Sequence, residues 1–155
     1  MSMLADLPPG LTGLEQLRAL IDRDRQPPIH ETLHIRLVAV DEGRATVEAE
    51  PGDAHLNPAG IVQGGYVAAV LDTACGCAVH ASLPANTGFS TAELKVSYHR
   101  PVTDRAGLVR AEGQTLSVGR RAAFSEAKLY DQRGRLLASA TSTLVILPIG
   151  RADGG

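Results

Sequence analysis

Residues 64–82 read GGYVAAVLDTACGCAVHAS, a run in which nearly every side chain is small or apolar. A helix on a protein surface keeps one polar face, whereas a helix that is apolar on nearly every side has to be buried. The run therefore predicts a buried helix. Asp72 is the one carboxylate within it.

Strand patterns lie on both sides of this helix. Apolar and polar residues alternate over about 32–40 and again over 45–49, with a turn at residues 41–43 between them. Residues 14–21 have helical spacing, which Pro27-Pro28 ends. Four strands are predicted after the buried helix, at about 89–99, 106–118, 121–130 and 135–147. A hairpin loop at 131–134 joins the last two. The order predicts the α+β class, with an antiparallel sheet curled around one long central helix.

Length and composition restrict the possible functions. The 155 residues suit one domain, and we divide the chain into an N-terminal helical extension (1–29), one domain (30–148) and a disordered tail (149–155). The net charge of -2 and the aromatic content of 3% argue against a nucleic-acid partner. No run reaches the roughly 18 apolar residues that cross a bilayer, and the first residues do not form an export signal. We expect a cytoplasmic protein, with no membrane partner, that binds a small molecule or a second copy of itself.

The carboxylate of Asp72 and the glycines at the start of the same helix are the main candidates for chemistry. Burying an ionised carboxylate is costly unless it has partners or a purpose; the alternative is that the Asp72 edge of the helix faces solvent. Backbone NH groups at Gly64 and Gly65 begin the helix without partners, at the positive end of its dipole. Such groups suit an oxyanion, although two glycines also allow close helix packing.

Three segments resemble one known family. They are HLNPAGIVQGGYVAAVLDTA at 55–74, TAELKVSYHRP at 91–101 and VGRRAAFSEA at 118–127. The spacing of Asn, Gly-Gly and Asp in the first is similar to that of hot-dog fold thioesterases of the phenylacetate-pathway and Arthrobacter-type 4-hydroxybenzoyl-CoA branch. The resemblance implies a hot-dog fold, an acyl-CoA substrate, no cofactor apart from the coenzyme A of the substrate, and a homodimer that pairs into a tetramer.

The resemblance also implies roles for individual residues. Asp72 would be the nucleophile or general base, the NH of Gly64 would polarise the thioester carbonyl, and Asn57 would help to place the water or the carbonyl. Many relatives have His where this chain has Gln63, which supplies hydrogen bonds but no proton transfer. Arthrobacter-type enzymes have Glu at the catalytic position and Thr one turn later, where this chain has Asp72 and Gly76.

Further residues are candidates for substrate binding. Guanidinium groups pair with phosphate, so arginines near the site are candidate ligands of coenzyme A, although arginines at strand ends are often simply exposed. Thr73 either contacts substrate or caps a helix carbonyl. The predicted substrate-binding set is Gly65, Thr73, His55, Arg100, Arg120 and Arg121. The five histidines and two cysteines have no metal-ligand spacing, so no metal site is predicted.

Two other functions remain possible from the sequence. A hot-dog hydratase or dehydratase would use an Asp and His pair, and Asp53 and His55 lie two residues apart. A non-catalytic acyl-CoA sensor would keep the fold without turnover. Gly64 and Asp72 are eight residues apart, or roughly 12 Å along a helix axis, so one carbonyl would not easily meet both. The helix geometry therefore predicts a site shared between two chains.

Overall fold

The long apolar helix lies across one six-stranded antiparallel sheet, as expected. The structure is a computed structural model that describes residues 2–149, so the tail predicted to be disordered lies, beyond its first residue, outside the described residues. In chain order the elements are α1 (Gly13–Asp22), α2 (Pro28–Leu33), β1 (Ile35–Asp41), β2 (Arg44–Ala49), α3 (Gly64–His80), β3 (Thr87–Tyr98), β4 (Val109–Val118), β5 (Ala122–Tyr130) and β6 (Leu136–Pro148).

The sheet has the order β1-β2-β4-β5-β6-β3, and every neighbouring pair is antiparallel. Tight hairpins join β1 to β2, β4 to β5 and β5 to β6. Gly43, in the first hairpin, has φ of 67°, a left-handed conformation that glycine adopts without strain. The α+β hot-dog architecture predicted from the sequence is confirmed.

Close contact between α3 and the sheet depends on a glycine in β4. The side chains of Val70, Leu71 and Ala74 have no more than 1% of their surface exposed. A Cβ placed on Gly113 would overlap the carbonyl oxygen of Ala74 and lie 2.6 Å from its carbonyl carbon. The helix therefore packs directly on the backbone of β4, and only glycine fits at this position.

The N-terminal region contains the predicted helix and one that the sequence analysis missed. Thr12 and Glu15 form a reciprocal capping box that begins α1. The predicted strand start at residue 32 is wrong, because α2 occupies Pro28–Leu33 and ends at His34 in a left-handed conformation. Proline lacks an NH but is well tolerated at the first position of a helix, so Pro28 begins a helix here instead of only ending the previous pattern. Helix α2 also spans the domain boundary predicted between residues 29 and 30.

One face of α3 is left uncovered by its own sheet. Small or polar residues recur there at helical spacing and are half-buried or exposed: Gly65, Ala68, Ala69, Asp72, Thr73 and Cys77. Strand β3 lies at an edge of the sheet, with Ser90, Thr91 and Glu93 exposed. The uncovered face of α3 and the edge strand β3 meet at Asp72, which determines where the candidate site lies.

Candidate active site

A short loop delivers the chain into α3. The backbone NH of Gln63 donates to the carbonyl of His55 at 2.8 Å, and the Gln63 carbonyl accepts from the NH groups of Tyr66 and Val67. Gln63 is therefore the N-cap residue, and its side chain is exposed and makes no capping bond. The NH groups of Gly64 and Gly65 have no carbonyl within the helix to bind, so they are available to an oxygen atom from outside.

Tyr98, at the end of β3, fixes the position of Gly64. Its hydroxyl donates to the Gly64 carbonyl at 2.8 Å, and a Cβ on Gly64 would lie 3.1 Å from the same hydroxyl. Gly65 has open space around its α-carbon. A cleft of about 390 Å³ opens here, lined by residues of the loop, α3 and β3 that include Ile61, Val62, Gly64, Gly65, Tyr98 and Arg100. Tyr98 lies within the 91–101 segment, where nothing in the sequence predicts a role for it.

Asn57 organises the loop before α3. Its side-chain oxygen accepts from the NH groups of Ala59 and Ile61, at 2.9 and 3.1 Å. Its backbone NH donates to the Ile61 carbonyl at 2.8 Å. Because the oxygen is used within the loop, the side-chain NH₂ group is the part of Asn57 that can donate to a substrate or water.

His55 is held by its own chain. Its ring is buried and packs on the ring of Tyr66, with 4.3 Å between the ring centroids. The NH of Gly52 donates to Nδ1 of His55 at 3.0 Å, so the neutral ring carries its proton on Nε2. Asp53 is exposed in the short turn before it. These contacts give His55 a structural role in the loop, and they do not form an Asp and His pair.

Asp72 is half-buried on the uncovered face of α3, where its carboxylate is accessible instead of enclosed in the core. The hydroxyl of Thr91 donates to Oδ1 of Asp72 at 3.1 Å. Thr91 lies beside an irregularity in β3, where the pairing with β6 shifts register between Thr91 and Glu93. Bulges of this kind redirect side chains. Neither the bulge nor the partner of Asp72 could be read from the alternating pattern of the strand.

Thr73, next to Asp72, caps the helix from within. Its hydroxyl donates to the Ala69 carbonyl at 2.9 Å, so of its two predicted roles Thr73 has that of capping a helix carbonyl. Nε2 of His30, on α2, lies 3.5 Å from the same hydroxyl. Thr73 thus links the central helix to the N-terminal region.

The candidate arginines lie at two opposite ends of the sheet, with Arg100 at one end and Arg120 and Arg121 at the other. Arg100 lines the cleft at Gly64 and donates from Nη1 to the Leu136 carbonyl at 2.7 Å. Arg120 and Arg121 are exposed in the hairpin between β4 and β5. The backbone carbonyl of Arg121 accepts from Ile146 near the end of β6, whereas Arg100 lies near the start of that strand. One copy of the chain therefore does not bring all three guanidinium groups to one substrate.

The described residues do not favour a cysteine nucleophile or a metal ion at this site. Burial is the main cause that raises the pKa of Cys75 to about 11 and that of Cys77 to about 12. Both thiols are therefore protonated at neutral pH and are poor nucleophiles. Within residues 2–149, no cluster of three or more potential metal ligands occurs. No helix in that range is long and apolar enough to cross a membrane.

Comparison with known proteins identifies the class. The model of the Thioesterase superfamily matches residues 59–138, just over half of the chain. The chain therefore belongs to the thioesterase superfamily, and we assign it to the thioester hydrolases, which confirms both the resemblance and the enzyme class predicted from sequence.

Individual relatives agree with this assignment. The chain is 32% identical over 104 residues to the proofreading thioesterase EntH of Klebsiella pneumoniae, covering 66% of this chain and 74% of the relative. It is 25% identical over 119 residues to a 1,4-dihydroxy-2-naphthoyl-CoA hydrolase of Listeria monocytogenes, covering 76% and 94%. A solved structure of a phenylacetic acid degradation-related protein from Ralstonia eutropha superposes with a TM-score of 0.74 at 32% identity, covering 83% and 98%.

Proposed function

We propose that the protein hydrolyses a short, medium or aromatic acyl-CoA to the free acid and coenzyme A. One observation carries the proposal: the carboxylate of Asp72 is accessible and oriented by Thr91, on the helix whose first NH groups, at Gly64 and Gly65, are unpaired. Thioester hydrolysis needs a carboxylate that attacks or activates water, and an NH group that stabilises the negative charge developing on the carbonyl oxygen.

The proposed reaction uses these two groups together. The thioester carbonyl oxygen accepts a hydrogen bond from the NH of Gly64. Asp72 either attacks the carbonyl carbon itself or removes a proton from a water molecule that attacks it, and the geometry is compatible with both routes. On the base route the carbon–sulfur bond then breaks, the thiolate of coenzyme A takes the proton that Asp72 removed from water, and the carboxylic acid is released. On the nucleophilic route the same bond breaks to leave a mixed anhydride with Asp72 and a thiolate that is protonated by water; a second water then hydrolyses the anhydride, which releases the acid and restores the Asp72 carboxylate.

We further propose that two copies of the chain form each site. Gly64 and Asp72 are separated by eight residues of α3, which is roughly 12 Å along the axis, too far for one carbonyl to reach both. If two copies pair about a twofold axis with their α3 helices antiparallel, Gly64 of one copy lies beside Asp72 of the other. The small residues on the uncovered face of α3 and the open edge of β3 favour such pairing.

The two-copy arrangement accommodates the other predicted residues. The Asn57 side-chain NH₂ and the exposed Gln63 side chain lie on the Gly64 side of the site, where they can orient the water or the carbonyl. Arg100 is on the same side. Antiparallel pairing brings opposite ends of two copies together, which would allow Arg120 and Arg121 of one copy to reach a substrate held at Gly64 of the other. Pairing of dimers into a tetramer and a cytoplasmic location remain predictions.

Release of thiol from a panel of acyl-CoA esters tests the activity. We expect the wild-type protein to release free coenzyme A from at least one aromatic or medium-chain ester, measured with a thiol reagent. A hydratase would instead change the absorbance of an enoyl-CoA without releasing thiol. A sensor would bind acyl-CoA without either change, and either result would contradict the proposal.

Subunit mixing tests the shared site. An Asp72→Asn chain and an Asn57→Ala chain should each be nearly inactive alone. After subunit exchange about half of the dimers are mixed, and each has one intact site of two, so about a quarter of the wild-type activity should return. No recovery, with exchange demonstrated by native mass spectrometry, would mean that Asp72 and Asn57 serve the same site from one chain.

A further inference from the structure

Tyr98 has an exposed ring but a hydroxyl with a fixed partner. The residue ends β3, where it pairs with Ala138 of β6, and 55% of its surface is exposed. Its hydroxyl nevertheless donates to the Gly64 carbonyl at 2.8 Å. Water could satisfy an exposed phenol equally well, so burial does not account for this bond. The bond therefore matters for Gly64 more than for the phenol itself.

The strand end that carries Tyr98 is firmly anchored. The backbone NH groups of His99 and Arg100 both donate to the Leu137 carbonyl, at 2.8 and 3.0 Å. Nε2 of His99 lies 2.9 Å from the hydroxyl oxygen of Ser139. These bonds tie the chain just after Tyr98 to β6, so the phenol reaches α3 from a fixed backbone.

The carbonyl that accepts from Tyr98 does not need this bond to complete the helix. Within an α-helix the Gly64 carbonyl accepts from the NH four residues later, and Tyr98 uses its second lone pair. This carbonyl shares a peptide group with the NH of Gly65. A hydrogen bond accepted by the oxygen of a peptide group polarises that group and strengthens its NH as a donor, by about 10–30% per bond. Tyr98 therefore strengthens the NH of Gly65.

The preceding peptide group is polarised in the same way. The Gln63 carbonyl shares this group with the NH of Gly64, and it accepts from the NH groups of Tyr66 and Val67 at 3.0 and 3.4 Å. The two NH groups that begin α3 thus both belong to peptide groups whose oxygens accept hydrogen bonds. Gly65 also has open space around its α-carbon, so an oxygen atom can approach its backbone closely.

We propose that Tyr98 is a positioning residue for the oxyanion: it holds Gly64 in place and strengthens the NH of Gly65 as a second donor beside the NH of Gly64. The inference rests on the proposed function, which puts the thioester carbonyl at this end of α3. Negative charge grows on the carbonyl oxygen only as the transition state forms, so a stronger donor raises kcat. In the two-copy arrangement β3 then serves two sites, one through Thr91 and the other through Tyr98.

The variant Tyr98→Phe keeps the ring in the cleft and removes only the hydroxyl. Loss of a whole oxyanion donor costs a hundredfold or more, and weakening one costs less, so kcat should fall roughly fivefold with KM unchanged. The control Tyr130→Phe removes a hydroxyl from β5, outside the Gly64 cleft, and should keep both values. A rise of KM with an unchanged kcat would overturn the proposal, because the hydroxyl would then serve only to bind substrate.

Two mixed dimers with the same substitutions, arranged differently, show where Tyr98 acts. In the first, one chain carries Asp72→Asn and the other carries Tyr98→Phe. In the second, one chain carries both substitutions and its partner is wild type. Different affinity tags on the two chains allow each mixed dimer to be isolated. If Gly64 and Asp72 of a site come from different chains, the first dimer keeps one intact site and the second keeps only a slowed one. The first should therefore turn over roughly fivefold faster.

The other outcomes separate this inference from the shared site. Equal turnover by the two mixed dimers would overturn the proposal, because Tyr98 would then act only through general stability. Faster turnover by the second dimer would support the role of Tyr98 at Gly64 and contradict the sharing of each site between chains.

The amide ¹⁵N chemical shift of Gly65 gives a readout that needs no turnover. It should change in Tyr98→Phe, where the peptide group loses its polarising bond, and stay unchanged in Tyr130→Phe. An unchanged Gly65 shift in Tyr98→Phe would overturn the proposal. If the wild type hydrolyses no thioester, the proposed function fails, while this shift still tests whether Tyr98 polarises the start of α3.

Discussion

Replacing Thr91 with valine removes the hydroxyl that orients Asp72 while keeping the shape of the side chain. The hydroxyl donates to Oδ1 of Asp72 at 3.1 Å. A hydrogen bond to a charged group contributes about 1.5–3 kcal/mol when it is shielded from water. Thr91 is exposed and Asp72 is half-buried, so solvent screening reduces this to about 1 kcal/mol. If the bond serves to position the carboxylate, its loss lowers kcat by roughly fivefold.

Steady-state thiol release by the wild type and Thr91→Val, with the best ester of the panel, measures this effect. KM should change little, because the hydroxyl is already bonded to the Asp72 carboxylate. The exposed neighbour Ser90, whose hydroxyl forms no hydrogen bond with Asp72, provides the control Ser90→Ala. An unchanged kcat in Thr91→Val would refute the positioning role. A fall as large as that of an Asp72 variant would show that the hydroxyl takes part in the chemistry itself.

Three further changes follow from the structure. Gly113→Ala should lower the melting temperature by roughly 5–10 °C through overpacking of α3 on β4, whereas Gly52→Ala, which has open space around it, should have little effect in the same thermal melt. Gly64→Ala should lower kcat by roughly tenfold or more, because a Cβ there would press on Tyr98 and displace the NH group that meets the oxyanion; Gly52→Ala again serves as the control. Burial lowers the pKa of His30 and His80 below the ordinary value of 6.5. Their contribution to the free energy of unfolding is therefore complete above pH 6.5 and is lost as the pH falls below it. The melting temperature should fall between about pH 7.5 and about pH 5.5, and it should fall less in each of the variants His30→Gln and His80→Gln.

The sequence was most informative about elements with strong periodicity. The apolar run at 64–82 predicted α3, since no polar face was available to put in water. The strands after it were placed to within one or two residues, because turns bound each of them, except that β4 begins at Val109 and not at residue 106. The residues predicted to start that strand form a short 3-10 turn, Asp104–Ala106, instead. Helix α2 was missed because Pro27-Pro28 was read only as a helix end, and six residues are too few to show a helical period.

The parts of the site that escaped prediction depend on contacts between distant residues. Asp72 and Gly64 stand out in the sequence, one as a lone carboxylate and the other as part of a glycine pair. Thr91 and Tyr98 do not, because a bulge in β3 and the end of that strand bring them to α3. The use of the His55 ring within its own loop was likewise hidden, since the Gly52 NH and the Tyr66 ring meet it only after folding.

The turnover number of Asp72→Asn tests the central claim most directly. Asparagine keeps the shape and the ability to accept from Thr91 but can neither attack as a carboxylate nor take a proton. We predict that kcat falls by at least about a hundredfold, while the melting temperature stays within a few degrees of the wild type. The control Glu93→Gln removes an exposed carboxylate from the neighbouring strand and should keep wild-type kcat. Near-normal thiol release by a folded Asp72→Asn protein would contradict the assignment of Asp72 as the catalytic carboxylate.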